Sequence, residues 1–507
     1  MIDLNQRKLG VLLSYAAQFV HLLVNLIYTP IMLRLLGQSE YGLYQMVYSV
    51  ISSLHILNFG FASAYIRYYS RLKVRDDHAG IASLNGMFIT VFAVISVVTF
   101  AIGSILTFNA KQVLGDNLTI GELSTARILM MLMVVNLVLA FQTSVFDCYI
   151  VAHERFVFQK VLVLFQYVLD PLIALPLLMM GYGSVAVVSA TTAITLGKLL
   201  LNIFYCIKKL KMAVSFRGFK FSLLREMGAF TFFIFLGQII DQINWSVDKF
   251  LLGRYVGTIA VAVYGLASTL NGMYMYFSST ISAVFIPKVN AIIAQEDDNR
   301  KLTDLFTKVG RIQFYVLALI LIGFISLGKP FMCLWGGAEY EQSYYIALLL
   351  IGPAIIPLSQ NLGIEIQRAK NKHQARAVVY FFIAIGNVGL SMLLIRKIGA
   401  LGAPLGTAIS LLLGNGLFMN WYYHKRIGLD IVFFWKEILL ILPSLLPSCV
   451  VGAIFFFFVK TSGWGQLLLQ VLILTAVYAI SVYFLGFNHA EKELVYSVIK
   501  QCRKKGR

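Results

Sequence analysis

The feature that most limits what this chain can fold into is a succession of apolar runs, each about as long as a bilayer crossing. An α-helix needs about 20 apolar residues to cross the hydrocarbon core. Fourteen such stretches are read from the sequence, roughly at 10–35, 41–66, 81–108, 126–150, 160–180, 182–207, 227–252, 258–287, 310–328, 343–366, 375–395, 398–423, 437–459 and 466–486. Twelve is the main alternative count. The 507 residues are 59% hydrophobic and 13% charged, against about 45–50% and about 25% in soluble domains. The expectation is an all-α integral membrane protein. "MIDLNQRKLG" leads straight into the first apolar run with no small-residue cleavage site. That run is too long for a signal peptide, so the first helix is expected to stay as an anchor.

A net charge of +19 would suit nucleic acid, but its distribution points elsewhere. Arg7-Lys8, Arg71 to Arg75, "KKLKMAVSFRGFKFSLLRE" (208–226), "RAKNKH" (368–373), "HKR" (424–426) and "RKKGR" (503–507) all fall on one side of the membrane. An even number of helices puts both termini on that side. This is the positive-inside pattern, so both termini are expected in the cytoplasm, with anionic lipid headgroups and not nucleic acid as partners. The five cysteines (Cys148, Cys206, Cys333, Cys449, Cys502) have no metal-ligand spacing.

The chain also repeats itself. "YTPIMLRLLGQSEYGLYQMVYS" (28–49) is echoed by "SVDKFLLGRYVGTIAVAVYGLAS" (246–268), with Leu36-Gly37 answered by Leu252-Gly253. The organisation read from this is an N-lobe of helices 1–6 (1–207), a basic cytoplasmic linker (208–226), and a C-lobe of helices 7–12 (227–424). Helices 13–14 (425–486) and a basic cytoplasmic tail (487–507) follow. Both lobes begin in the cytoplasm, so they form a parallel repeat, an arrangement suited to a central cavity and alternating access.

Polar groups facing lipid are costly, so a polar stripe on a membrane helix marks a cavity or a helix contact. Ser14, Gln18, His21 and Asn25 share one face of helix 1. Gln238, Asp241, Trp245 and Asp248 share one face of helix 7. Matching Gly37 to Gly253 sets Asn25 opposite Asp241, so both stripes are expected to look towards one centre. The plainer alternative is hydrogen bonding between helices. Other intramembrane groups are Asp147, Asp170, Glu365 beside Arg368, and Lys198, whose amine is expected to meet a carboxylate or an anionic ligand. Arg34, Arg67, Arg254 and Arg311 are read at helix ends, with Lys198 and Lys249 deeper. Tyr41, Tyr44 and Tyr48 form one face of helix 2. No P-loop, HExxH or Gly-x-Ser-x-Gly occurs, so a transporter without catalytic or ATP-binding motifs is expected. It would have no cofactor and would draw on an ion gradient (proton or sodium), with Asp241 and Asp248 as coupling candidates, or on downstream consumption of its substrate.

The motifs "P-x-x-x-R-x-LG-x-x-x-YGLY" (30–44), "LNFGFASAYIRYYSR" (57–71) and "VDKFLLG…VAVYGLAS" (247–268) resemble the polysaccharide-transporter branch of the MATE/MOP flippase superfamily, which includes the Wzx-type flippases. That resemblance implies two lobes around a cavity lined by helices 1, 2, 7 and 8. It also implies movement of an undecaprenyl-diphosphate-linked oligosaccharide (an O-antigen, capsule or exopolysaccharide repeat unit) across the bacterial cytoplasmic membrane, with a polysaccharide polymerase as a candidate partner. Arg34, Arg67, Lys198 and Lys249 are then the candidate diphosphate contacts, Arg34 and Arg67 foremost because they bracket the helix 1–2 hairpin. Gln18, His21, Asn25, Gln238, Asp241, Trp245 and Asp248 are the candidate cavity and coupling residues. Two alternatives share the fold. A MATE-type drug/cation antiporter commonly carries an acidic residue in helix 1, which has none here. A lipid II flippase has an Arg-Asp in the first helix, where this chain has "VNLIYTP" (24–30).

Overall fold

The structure, a computed structural model, describes residues 2–217, 221–295, 298–370, 372, 374–489, 491–493 and 496. Helices account for almost all of them, because within lipid a helix satisfies its own peptide groups. Ten helical segments among the described residues are long and apolar enough to cross a membrane, or eleven if Ile431–Leu439 and Leu442–Phe458, bent by 42°, form one crossing. Two of the ten, Leu9–Asn58 and Val378–Ile427, run to 50 residues, about 75 Å of helix against a core of about 30 Å. The chain divides into two compact units, residues 1–265 with 380–403, and residues 266–379 with 404–507.

In the first unit α1 (Ile2–Ser52) is two limbs joined at Gly37, whose φ of 73° and ψ of 170° interrupt the helix. Only glycine takes that conformation without strain. Gly42 opens the second limb, and a Cβ there would run into the carbonyl of Thr258, so the two backbones meet because no side chain intervenes. The sequence placed the matching turn at Gly253, but α8 (Phe221–Tyr255) continues through that residue. The chain turns instead at Gly257, with φ 122°. Aligning Gly37 with Gly257 sets Asn25 against Trp245, not Asp241.

The second limb is also shorter than expected. It tightens into a 3-10 turn over Ser53–Asn58 and ends at Phe59 and Gly60, both left-handed. α2 (Phe61–Val74) starts afresh beyond them. The remaining helices of the unit are α3 (His78–Phe108), the short α4 (Ala110–Leu114), α5 (Ile120–Ala152), α6 (Phe156–Met179) and α7 (Gly183–Phe204). α5 is opened by a capping box between Thr119 and Glu122. α1 packs on α6, α5 between α3 and α7, and α8 against α1 and α2.

The second unit takes most of α9 (Thr258–Gln295), then α10 (Asn299–Trp335), α11 (Gln342–Ser359) and α12 (Leu362–Ala369). α13 (Gln374–Ile398) is shared between the units, as is α14 (Gly402–Leu411). π-helical turns over 412–419 and 423–427 flank the three-residue α15 (Asn420–Tyr422), and α16 (Ile431–Leu439), α17 (Leu442–Phe458) and α18 (Trp464–Ser481) complete the unit. Pro353 and Pro357 lie in α11, which breaks at Gln360-Asn361. The break is held by side chains. Ser278 donates to the Leu358 carbonyl at 2.6 Å, and Gln360 Nε2 and Trp435 Nε1 both donate to Asn420 Oδ1.

Arg311, expected at a helix end, lies well inside α10 and is only 4% exposed. Its guanidinium donates to both carboxylate oxygens of Glu491, to Glu437 Oε2 and the Glu437 carbonyl, to Tyr315 Oη and to the Gly486 carbonyl, all between 2.8 and 3.1 Å. It ties α16 and the segment after α18 to α10. Burial on its own would raise the Glu491 carboxyl; the Arg311 bonds and the Asn488 N–H outweigh it and hold its pKa below the ordinary value. Removing one member of such a cluster strands a buried charge. Arg311→Met is therefore expected to destabilise the chain by about 3–5 kcal/mol, read as a lowered melting temperature of the detergent-purified protein. A depressed carboxyl pKa stabilises the fold above the ordinary value and loses that contribution as pH falls through the folded value. The wild type should therefore lose melting temperature more steeply than Glu491→Gln as pH drops below about 4.5.

Candidate functional site

The first limb of α1 carries its expected polar stripe, but the stripe meets α6. His21 stacks on Tyr167 with ring centroids 4.3 Å apart, and Asn25 Nδ2 lies 3.1 Å from His21 Nε2. Gln18 is exposed. Deeper along the same contact, Tyr28 Oη and Asp170 Oδ1 are buried without a hydrogen-bond partner among the described residues. On α8, Gln238 Oε1 is likewise buried and unpartnered, and Asp248 is 2% exposed and accepts from Tyr264 Oη at 2.9 Å. The side chains of Asp241 and Trp245 lie outside the described residues.

The expected phosphate contacts do not gather at one point. Arg34 is exposed just before the Gly37 break, and Arg67 is exposed on α2. Between them run the whole second limb and the 3-10 turn, roughly 40 Å of chain at helical rise. Lys198 meets a carboxylate: its Nζ is 3.2 Å from Asp147 Oδ2, and Asn202 Nδ2 donates to Asp147 Oδ1 at 2.9 Å. Arg254 Nη1 donates to the carbonyls of Gln112 and Val113 and so caps α4. Glu365 pairs with Arg368 at 2.7 Å.

A cavity does open in this unit, between the second limb of α1 and α8. Its volume is about 360 Å³, and Tyr48, Ser49, Ser52, His55, Gln242, Ser246 and Lys249 line it. Two bridges frame it. Lys249 Nζ donates to Gln45 Oε1 at 3.0 Å, and Gln242 Nε2 donates to Ser52 Oγ at 3.1 Å. Gln45 is steadied by donating to Tyr41 Oη at 2.8 Å. His55 sets its ring edge to face with Phe141, 5.7 Å away. Of the residues singled out from sequence, Lys249 and Tyr48 are the two among the described residues that line this space. Gln45, Ser49, Ser52, His55, Gln242 and Ser246 were missed. Their spacing could have found them, since Gln45, Ser49 and Ser52, and Gln242, Ser246 and Lys249, each fall at i, i+4 and i+7 on one helical face. No cluster of ligands suited to a metal occurs among the described residues.

What the lining can do is hydrogen bond. Four hydroxyls, an amide, an imidazole and an ammonium converge on a space walled by membrane helices, a setting for a polyhydroxylated ligand. Two solved structures that resemble this one are a lipid flippase and a multidrug transporter. A lipid II flippase MurJ in an inward closed conformation matches with a TM-score of 0.74 at 16% identity, covering 94% of this chain and 98% of that one. An inward-facing multidrug resistance MATE family transporter of the MOP superfamily matches with a TM-score of 0.67 at 12% identity, covering 82% and 96%. At these identities the likeness establishes a fold shared with those two proteins. Residues 8–292, more than half of the chain, match the polysaccharide biosynthesis protein family, and the chain belongs to that family. An uncharacterized membrane protein, EpsK, of Bacillus subtilis (strain 168) is 21% identical over 482 residues, 94% of each chain.

The two bridges should be energetically linked to the cavity. Ser52→Ala and Gln242→Ala are each expected to cost about 0.5–1.5 kcal/mol. The double variant should cost less than the sum, because both remove the same bond. Thermal unfolding of the four proteins in one detergent checks this, and strict additivity would mean the bridge contributes nothing.

Proposed function

We propose that this protein is a flippase that moves an undecaprenyl-diphosphate-linked oligosaccharide from the inner to the outer leaflet of the cytoplasmic membrane by alternating access. The observation that carries the reading is a sugar-compatible cavity between membrane helices of a chain in the polysaccharide biosynthesis family. This reading takes the chain as fourteen crossings, with each 50-residue segment counted as two, the bent pair Ile431–Leu439 and Leu442–Phe458 as one, and Phe221–Tyr255 as one more. The lobes are then 1–207 and 227–424, and both termini are cytoplasmic. In that orientation Arg67 lies towards the cytoplasmic end of the second limb and Arg34 towards the external end. Each offers a guanidinium fork to a diphosphate on its own side. The cavity's hydroxyls and amide receive the glycan. No step of chemistry is assigned to the chain. Energy comes from a proton or sodium gradient, with Asp248 and Asp241 as the coupling carboxylates, and a polymerase in the same membrane takes the product.

The test is lipid extraction from a deletion strain, with mass analysis and periplasmic labelling of the undecaprenyl-linked intermediates. The expected outcome is accumulation of a completed glycan on undecaprenyl diphosphate, shielded from external labelling. Normal glycan intermediates with altered sensitivity to cationic drugs would replace this reading with an antiporter, and accumulation of lipid II with a lipid II flippase. For coupling, Asp248→Asn and Asp241→Asn are expected to slow export at least tenfold. Full export by both, with unchanged gradient dependence, would remove the carboxylates from the mechanism.

A further inference from the structure

We infer that the cavity between the second limb of α1 and α8 holds one acidic sugar residue of the transported glycan, and that Lys249 is the counter-charge to its carboxylate or phosphate. This rests on the flippase reading for the identity of the glycan, but the argument for an anion is local.

Lys249 carries three N–H donors, and one of them is used, on the neutral amide of Gln45. No carboxylate among the described residues pairs with it. Asp248, its neighbour in sequence, points elsewhere and takes the Tyr264 hydroxyl. Lys198 gives the contrast within the same unit, since its amine is neutralised by Asp147 at 3.2 Å. A cation held among membrane helices without a counter-charge is costly, and that cost falls when a ligand brings the missing negative charge. Among the described residues no acidic side chain lines the cavity to repel such a ligand.

The remaining lining suits a pyranose. Ser49 and Ser52 give their own O–H to the Met46 and Ser49 carbonyls and offer a ligand oxygens that accept, while Ser246 and Tyr48 bring two further hydroxyls and Gln242 an amide. Tyr48 and His55 add ring faces for the apolar side of a sugar. Small-molecule sites span about 300–1,000 Å³, so a cavity of about 360 Å³ takes one ring and not a whole repeat unit. The two bridges stand seven residues apart on each helix, about 10 Å, and bound that ring at both ends.

The full-length protein in nanodiscs tests this by thermal shift with glucuronate, glucose and inorganic pyrophosphate. Glucuronate is expected to stabilise the wild type at concentrations at least tenfold below those needed for glucose. Lys249→Gln should abolish the difference, Lys249→Arg should keep part of it, and Ser246→Ala should weaken both sugars severalfold. Each variant's melting curve without ligand reports its folding. Equal response to glucose and glucuronate, or a Lys249→Gln protein that still prefers glucuronate, would overturn the assignment. Pyrophosphate displacing glucuronate as the preferred ligand would also overturn it, placing the carrier's diphosphate in the cavity. In the deletion strain, a shielded but neutral glycan would remove the acidic sugar and leave the flippase standing. Lys249-dependent glucuronate binding with normal lipid intermediates would do the reverse.

Discussion

Lipid offers no partner to a peptide N–H or C=O, and most of this structure follows from that one constraint. Helices are the default because they need nothing from outside. Each interruption exists where side chains or close backbone contacts replace what the helix gives up. At Gly37 the interruption falls at the junction of two limbs, just before Gly42 brings the backbone against Thr258. At Gln360-Asn361 it falls after two prolines, and Ser278 and Asn420 supply the missing partners. The same rule decides where polar side chains go. None can be left facing lipid cheaply, so each polar stripe finds another helix or a cavity.

Two kinds of polarity result. Arg311 with Glu437 and Glu491, and Lys198 with Asp147, are closed arrangements, with charge matched inside the protein. The cavity around Lys249 is open, with hydroxyls, an amide and an ammonium gathered and no carboxylate among the described residues paired with the ammonium. Closed clusters hold elements together, whereas an open one has capacity left for a ligand. This distinction separates architecture from function more cleanly than burial does, since Arg311 is more deeply buried than Lys249.

Much of this was legible in the sequence. Apolar length marked the chain as membrane helices, Gly37 marked the hairpin, and the isolation of Lys198 from the membrane surface implied a carboxylate or an anionic ligand, of which the structure supplies the carboxylate. The site itself was less legible because charge drew the eye. Asp241, Asp248 and the arginines stand out against an apolar background, while Gln45, Ser49, Ser52, Gln242 and Ser246 are ordinary residues in membrane helices. Only their shared spacing sets them apart. Arg254 and Arg311 read only as lying at helix ends because their partners are carbonyls and distant carboxylates, and one sequence does not reveal which distant segments meet. The helix 1 stripe was legible as a face, and at His21 that face meets Tyr167 of α6, the helix contact that was the plainer alternative, since a period identifies a face and not what it faces.

The bridged limb and α8 run antiparallel, with Gln45 against Lys249 and Ser52 against Gln242. Each strand of this ladder spaces its three polar residues by four and then three. Slide one helix by three residues, about 4.5 Å, and Gln45 comes level with Ser246 and Ser49 with Gln242. Slide it four the other way, about 6 Å, and Ser49 comes level with Lys249 and Ser52 with Ser246. The arrangement works as a vernier, with three positions at which two rungs register together and poorer matches between them. In one of the shifted positions the lysine gives up its amide partner altogether, and in the other it exchanges the amide for a hydroxyl.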